Sequence, residues 1–335
     1  MAQALALCFA VGYSHPPAAD LLAFTVEAGG SMTLRQAIAI GENPSTLCGD
    51  GGGRLYLGCE NPGQAAIYRW QVRQDAAGGP LLAPEKRWGL PHGGLCHLVY
   101  HKELLLGSCY LDGVFFALDT ATGKEVWRYR STAAAPRAHW MTVSPDGRWL
   151  FACDLGADRI FQFPWRSGGP APGPDRAFAL RPGAGPRQAL CTGRHLYVVG
   201  QDDSTLLVYD TESGRCLQRL PATREKLSGR NYPSVAFFTP QGELVLANRG
   251  ADTLARFTVN RNGTLCFTRE DKLAGRWPRL ACPVEKGLVV TALRHSGAVH
   301  CYRLYSDGLT LCGTLSLPEA SGLCWIMENK APQFR

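Results

Sequence analysis

The sequence predicts an all-β fold, a seven-bladed β-propeller of four-stranded antiparallel blades, spanning residues 1–335 as a single domain. Three observations predict it. An apolar strand ending in a small or polar corner returns at a near-constant interval, and each return is followed by a second strand carrying an aromatic residue. The chain is also rich in turn formers, with 38 Gly and 22 Pro. Both residues interrupt helical hydrogen bonding or cost backbone entropy in a helix, so short strands joined by turns are favoured over long helices. A repeat in the forties is the length of one four-stranded blade.

The elements follow in order. An opening copy aligned at Leu7 is followed by "LYLGCEN" from Leu55, "LLLGSCY" from Leu104, "LFACDLG" from Leu150, "LYVVGQD" from Leu196, "LVLANRG" from Leu244 and "LVVTALRHS" from Leu288. Successive starts differ by 48, 49, 46, 46, 48 and 44 residues. After the second to seventh copies come "AIYRWQV", "VFFALDT", "IFQFPW", "LLVYDT", "LARFTV" and "VHCYRL". Their apolar/polar alternation suits strands half exposed or stacked between neighbouring sheets. "SPDGR" (144–148) and "TPQGE" (239–243) supply hairpin turns. The Pro/Gly-rich "RSGGPAPGPDR" (166–176) reads as a blade-to-blade loop, because the count resumes on schedule after it. Seven such sheets set radially close a ring with only short edges.

Composition narrows the function. Apolar residues make up 45% and charged residues 19%, a globular balance able to form a sizeable core. The net charge is +7, and only seven of the 35 basic residues are Lys. No basic run or basic-aromatic face is long enough for nucleic acid, and no apolar run is long enough for a membrane span, so neither partner is expected. The Arg bias leaves an anionic small molecule open, since guanidinium groups grip carboxylate and phosphate in pairs of hydrogen bonds. Thirteen Cys lie singly on strand-like runs with no C-x-x-C pair, which points to a reducing cytoplasm and away from a zinc ribbon. The N-terminal "MAQALALCFAVGYSHPPAA" lacks a basic leader region and reads as the first strand.

Several local signals point to structure. "ALDTATGKEVW" (117–127) resembles the docking repeat of quinoprotein dehydrogenases, but it is echoed only faintly at "VYDTESGRCL" and reads as an Asp/Thr/Gly turn with a Trp packing on the next blade. "GDGGGR" (49–54) lacks the lysine and helix of a P-loop and reads as a hairpin turn. His92, His97 and His101 are spaced too irregularly for one strand face, so no metal site is expected. No G-x-S-x-G occurs, so a serine hydrolase is unsupported.

"AHWMTVSPDGRWLFACDLGADRIFQF" resembles the hallmark blade of the lactonase-type seven-bladed propellers, the family of bacterial 6-phosphogluconolactonase and fungal carboxymuconate cyclase. Similar matches run along nearly the whole chain, including "GGGRLYLGCEN", "GPRQALCTGRHLYVVGQDDSTLLVYD" and "FFTPQGELVLANRGADTLARFTV". The resemblance implies a site at one mouth of the central channel, built from a His, two Arg and a Glu. His139 takes the family's His, Arg187 the Arg of "GPR" and Arg249 the Arg of "NRG". The family's Glu falls on Gln201, whose amide cannot accept a proton at neutral pH. Arg137 stands where the family often has a second His, and Gln188 where it often has "PRH". These four catalytic candidates, His139, Arg187, Arg249 and Gln201, are joined by Glu60, His97, Arg137 and Asp154 as substrate-binding candidates. For Asp154 the alternative is a carboxylate locking its corner, and for His97 a packed core imidazole.

The implied chemistry is hydrolysis of a sugar lactone, 6-phosphogluconolactone by resemblance alone, with His139 as base and the two Arg as anion grip. No cofactor and no metal are implied. Two alternatives stand beside it: a non-catalytic propeller binding an anionic metabolite or protein partner, and a lactonising isomerase of unsaturated dicarboxylates.

Overall fold

The seven anchor segments are the second strands of seven antiparallel sheets in the computed structural model, which describes residues 4–75 and 79–326. Counting blades in chain order, blades 2 to 7 span 44–89, 95–130, 138–179, 186–221, 232–272 and 278–316. In each of these the chain runs from the inner strand to the outer one. Blade 1 differs: Ala4–Gly12, Leu21–Glu27 and Met32–Ile38 are its second, third and outer strands, and its inner strand is Ala320–Ile326 from the other end of the sequence. Leu7 pairs with Ile326, Phe9 with Cys324 and Val11 with Gly322, so one sheet holds both ends of the ring.

The apolar character of the second strands has a direct cause. Each sheet is covered on both faces, so successive residues pack against opposite neighbours. Cys8 and Ala10 join a cluster with Val290 and Val299 of blade 7, whereas Phe9 and Val11 join one with Leu55 and Leu57 of blade 2. Seven such clusters lie around the ring, one at every blade junction. Leu104–Cys109 is buried at all six positions, and burial of each large apolar side chain there stabilises by about 1.5–3 kcal/mol. Outer strands such as Glu125–Arg130 keep one buried residue, Trp127. Its indole Nε1 donates to Ala171 O of blade 4 at 2.8 Å, while Asp119 Oδ1 accepts from Ala121 N and Thr122 N to fix the preceding turn.

The Pro/Gly-rich segment lies elsewhere than the sequence reading put it. Trp165 pairs with Pro170 and Arg166 with Gly169, and Arg176–Ala179 is the outer strand of blade 4. Residues 166–176 are therefore inside a blade, between its third and outer strands. The repeat stays on schedule because the outer strand is only four residues long.

Candidate active site

The site grows from one irregularity repeated seven times. Each inner strand skips one residue in its register with the second strand, and the skipped residues are Ser321, Ser45, Cys96, His139, Arg187, Ser234 and Arg279 in blade order. A bulge leaves its extra residue out of the ladder and re-aims its side chain. Here most of these side chains reach the inner strand of the next blade. Ser45 Oγ donates to Leu95 O at 2.8 Å, Cys96 Sγ to Ala138 O at 3.6 Å, Arg187 Nε to Ser234 O at 2.9 Å and Ser234 Oγ to Pro278 O at 2.6 Å.

A second ring sits one step past the second strands. The residue before each bulge pairs with a second-strand residue, as Pro44 does with Cys59, Pro186 with Gly200 and Pro233 with Asn248. The residue following that partner is Tyr13, Glu60, Tyr110, Leu155, Gln201, Arg249 and Arg294 in blades 1 to 7. The two rings meet at one end of the channel.

On one side they bring the four catalytic candidates together. Arg187 Nη1 donates to His139 Nε2 at 2.6 Å and to Gln201 Oε1 at 3.0 Å, and Arg249 Nη2 donates to the same Gln201 oxygen at 2.6 Å. Gln201 Nε2 donates to Asp202 Oδ1 at 3.0 Å, which fixes its carbonyl toward the guanidinium groups. Because a guanidinium only donates, His139 Nε2 must be the acceptor and Nδ1 must carry the proton. That buried Nδ1 has no hydrogen-bond partner among the described residues, and the ring lies edge-on to Tyr110. Burial, reinforced by Arg187, pushes His139 well below the usual imidazole range. Burial and the neighbouring Arg279 bring Arg187 down to about 10, and burial with Arg187 pulls Arg249 well below its ordinary value.

The other side holds residues that the sequence reading did not assign. Arg279 Nη2 donates to Glu60 Oε2 at 3.2 Å, and the Tyr13 hydroxyl donates to the same oxygen at 2.5 Å. The Tyr13 ring carries two cations, the Arg279 guanidinium 5.3 Å and the Arg294 guanidinium 5.0 Å from its centroid. Burial pushes the Tyr13 phenol up, against the opposing pull of Arg279, so it stays a donor. Burial acts to lower Arg279, but the surrounding acidic groups, Glu60 among them, together outweigh it and hold it above its ordinary value. Of the substrate-binding candidates, only Glu60 belongs to either ring. The signal for Arg279 was present: "WPR" in blade 7 repeats the Pro-Arg step of "GPR" in blade 5, and each Arg is the bulge residue of its strand.

The remaining candidates lie off the rings. Asp154 is fully buried, with Oδ1 accepting from Arg137 N at 2.7 Å and Ala157 N at 3.0 Å and Oδ2 accepting from Ser131 Oγ at 2.6 Å. Its carboxylate locks the blade 4 corner. His97 packs its ring 3.7 Å from that of Trp140 and accepts from Met141 N through Nδ1 at 3.3 Å, and burial lowers it to about 3. It is an imidazole of the junction between blades 3 and 4. Arg137 is exposed and lies over the Tyr110 ring at 5.6 Å, bordering the His139 side from outside.

Comparisons with known proteins place this geometry in a family. Residues 8–321 match the family described as "Lactonase, 7-bladed beta-propeller". The chain is 30% identical to 6-phosphogluconolactonase of Bacillus subtilis over 152 residues, a match spanning 43% of each protein. It is 29% identical to an uncharacterized protein of Staphylococcus aureus over 253 residues, 67% of this chain and 72% of that one. Two solved structures share the fold at a TM-score of 0.85: a candidate 6-phosphogluconolactonase from Bacteroides fragilis, at 20% identity over 96% of this chain and 98% of that one, and another from Bacteroides uniformis, at 21% over 97% and 100%. With residues 8–321 matched, the chain belongs to the lactonase family of seven-bladed β-propellers.

Proposed function

We propose that the protein hydrolyses a small anionic sugar lactone at this mouth, with 6-phosphogluconolactone as the leading substrate. The observation that carries the reading is the convergence of Arg187, Arg249 and Arg279: Arg279 helps lower Arg187, both help lower Arg249, and among the described residues Glu60 is the one carboxylate bonded directly to any of the three. Like charges held in a partly dry site repel strongly, and a bound phosphate or carboxylate relieves that repulsion while forming charge-assisted hydrogen bonds. The activity of the Bacillus relative supports the lactone as the reacting group.

Hydrolysis needs attack of water on the ring carbonyl, an acceptor for its proton, and positive charge near the oxyanion that forms. The guanidinium groups supply the last of these. His139 is not free to accept a proton while Arg187 occupies its Nε2 at 2.6 Å. An anion that draws Arg187 toward itself would release that nitrogen. The test is hydrolysis of 6-phosphogluconolactone and of the neutral glucono-δ-lactone, each against its spontaneous rate. Turnover of neither removes the hydrolase reading and leaves an anion-binding propeller.

A further inference from the structure

Gln201 and Glu60 occupy the same place in two different blades. Gln201 follows Gly200, the partner of Pro186, and Glu60 follows Cys59, the partner of Pro44. The amide in blade 5 cannot take a proton, and its oxygen already accepts from two guanidinium groups. In blade 2 the same step carries a carboxylate. Tyr13 and Arg279 both donate to Oε2 of Glu60, while Oε1 accepts no hydrogen bond from the described residues. Glu60 is partly exposed, with 21% of its side chain reaching solvent, so Oε1 is open to a water at the mouth. Asp154, by contrast, has both oxygens committed to its corner.

Resting on the lactonase reading, we propose that Glu60 Oε1 is the proton acceptor for the attacking water, with Tyr13 and Arg279 as its positioning residues. Water oxygen forms a bond to the lactone carbonyl carbon, its proton passes to Glu60 Oε1, and the carbonyl π pair moves to the carbonyl oxygen. Collapse of the tetrahedral intermediate breaks the bond from carbon to ring oxygen. Glu60 returns its proton to that oxygen, giving the hydroxy acid and restoring the carboxylate. No other reactant is required. Tyr13 keeps its proton throughout and holds the second carboxylate oxygen, so Oε1 keeps its aim.

The experiment measures kcat and KM for 6-phosphogluconolactone against pH in the wild-type protein, Glu60→Gln and Tyr13→Phe, with thermal unfolding to confirm that each is folded. Glu60→Gln preserves shape and removes the base, so kcat falls about 100-fold or more with KM changed little, and the acid limb of the pH profile disappears. Tyr13→Phe removes a donor to the carboxylate, so the acid limb moves to higher pH, a displacement that a packing role alone would not produce. A wild-type enzyme that turns over while Glu60→Gln keeps both its kcat and its acid limb overturns this assignment and leaves the lactonase reading standing. Absence of turnover in the wild type overturns both.

Discussion

Arg187 and Arg249 share one acceptor, the Oε1 of Gln201, at 3.0 and 2.6 Å. Two cations from different blades are thus held together by a neutral amide. The arrangement leaves their charge uncompensated and available to a ligand. It also explains how a site with an amide at this step remains organised: the amide supplies the geometry without the charge.

Gln201→Glu therefore places a permanent anion in the grip. The new carboxylate would bond both guanidinium groups and would face Asp202 Oδ1, now 3.0 Å from the amide nitrogen. Affinity for inorganic phosphate as a competing ligand falls at least about tenfold, equivalent to about 1.4 kcal/mol. Titration calorimetry on the two proteins checks this. Unchanged or tighter binding would show that these two arginines do not form the grip.

The buried imidazoles make the fold sensitive to acid. His97 titrates near 3 in the folded protein, below the usual value of about 6.5 for the unfolded chain. Its neutral form costs nothing above that value. Below it, the unfolded chain takes up a proton that the native state refuses, so stability falls by about 1.4 kcal/mol per pH unit. His97→Gln keeps an acceptor for Met141 N and removes the titration. Between pH 6.5 and 5, urea unfolding should show the wild-type protein losing about 2 kcal/mol more than the variant. Equal losses would mean that His97 accepts its proton in the folded state.

Asp154 serves the fold. Replacing it with Ala strands Ser131 Oγ and the amides of Arg137 and Ala157, all of which donate to it. The loss amounts to about 2–4 kcal/mol at roughly 1 kcal/mol per bond. Denaturant midpoints at constant m-value measure it, and a change below about 0.5 kcal/mol would contradict the assignment.

Much of this was legible in the sequence for a physical reason. Every second strand is sandwiched between two neighbours and must be apolar, and every corner must turn, so "LYLGCEN" and its six counterparts recur at blade length. The family motif led to His139, Arg187, Arg249 and Gln201, which the fold brings within hydrogen-bonding reach. Arg279 escaped notice because a bulge is a departure from period-two alternation and is invisible to a reading based on it, and Tyr13 because it lies one step past a strand whose inner partner comes from the other end of the sequence. The closure of blade 1 escaped notice too: "ASGLCWI" (320–326) follows the last anchor with no corner of its own, and its partner lies some 310 positions away in sequence, as in the bond from Ser321 Oγ to Val11 O. In blade 4, turn residues between two strands of one sheet looked like turn residues between sheets.

The proposed function requires the guanidinium groups at the channel mouth to recognise an anion on a lactone that is then opened. The most direct measurement is the ratio of kcat/KM for 6-phosphogluconolactone to that for glucono-δ-lactone, in the wild-type protein and in Arg187→Ala. The wild-type protein should hydrolyse the phosphorylated lactone well above its spontaneous rate and prefer it strongly, and Arg187→Ala should lose at least about tenfold of that preference, the effect of one charge-assisted hydrogen bond of about 1.5–3 kcal/mol. Equal treatment of the two lactones by the wild-type protein, or a preference untouched by the substitution, would contradict it.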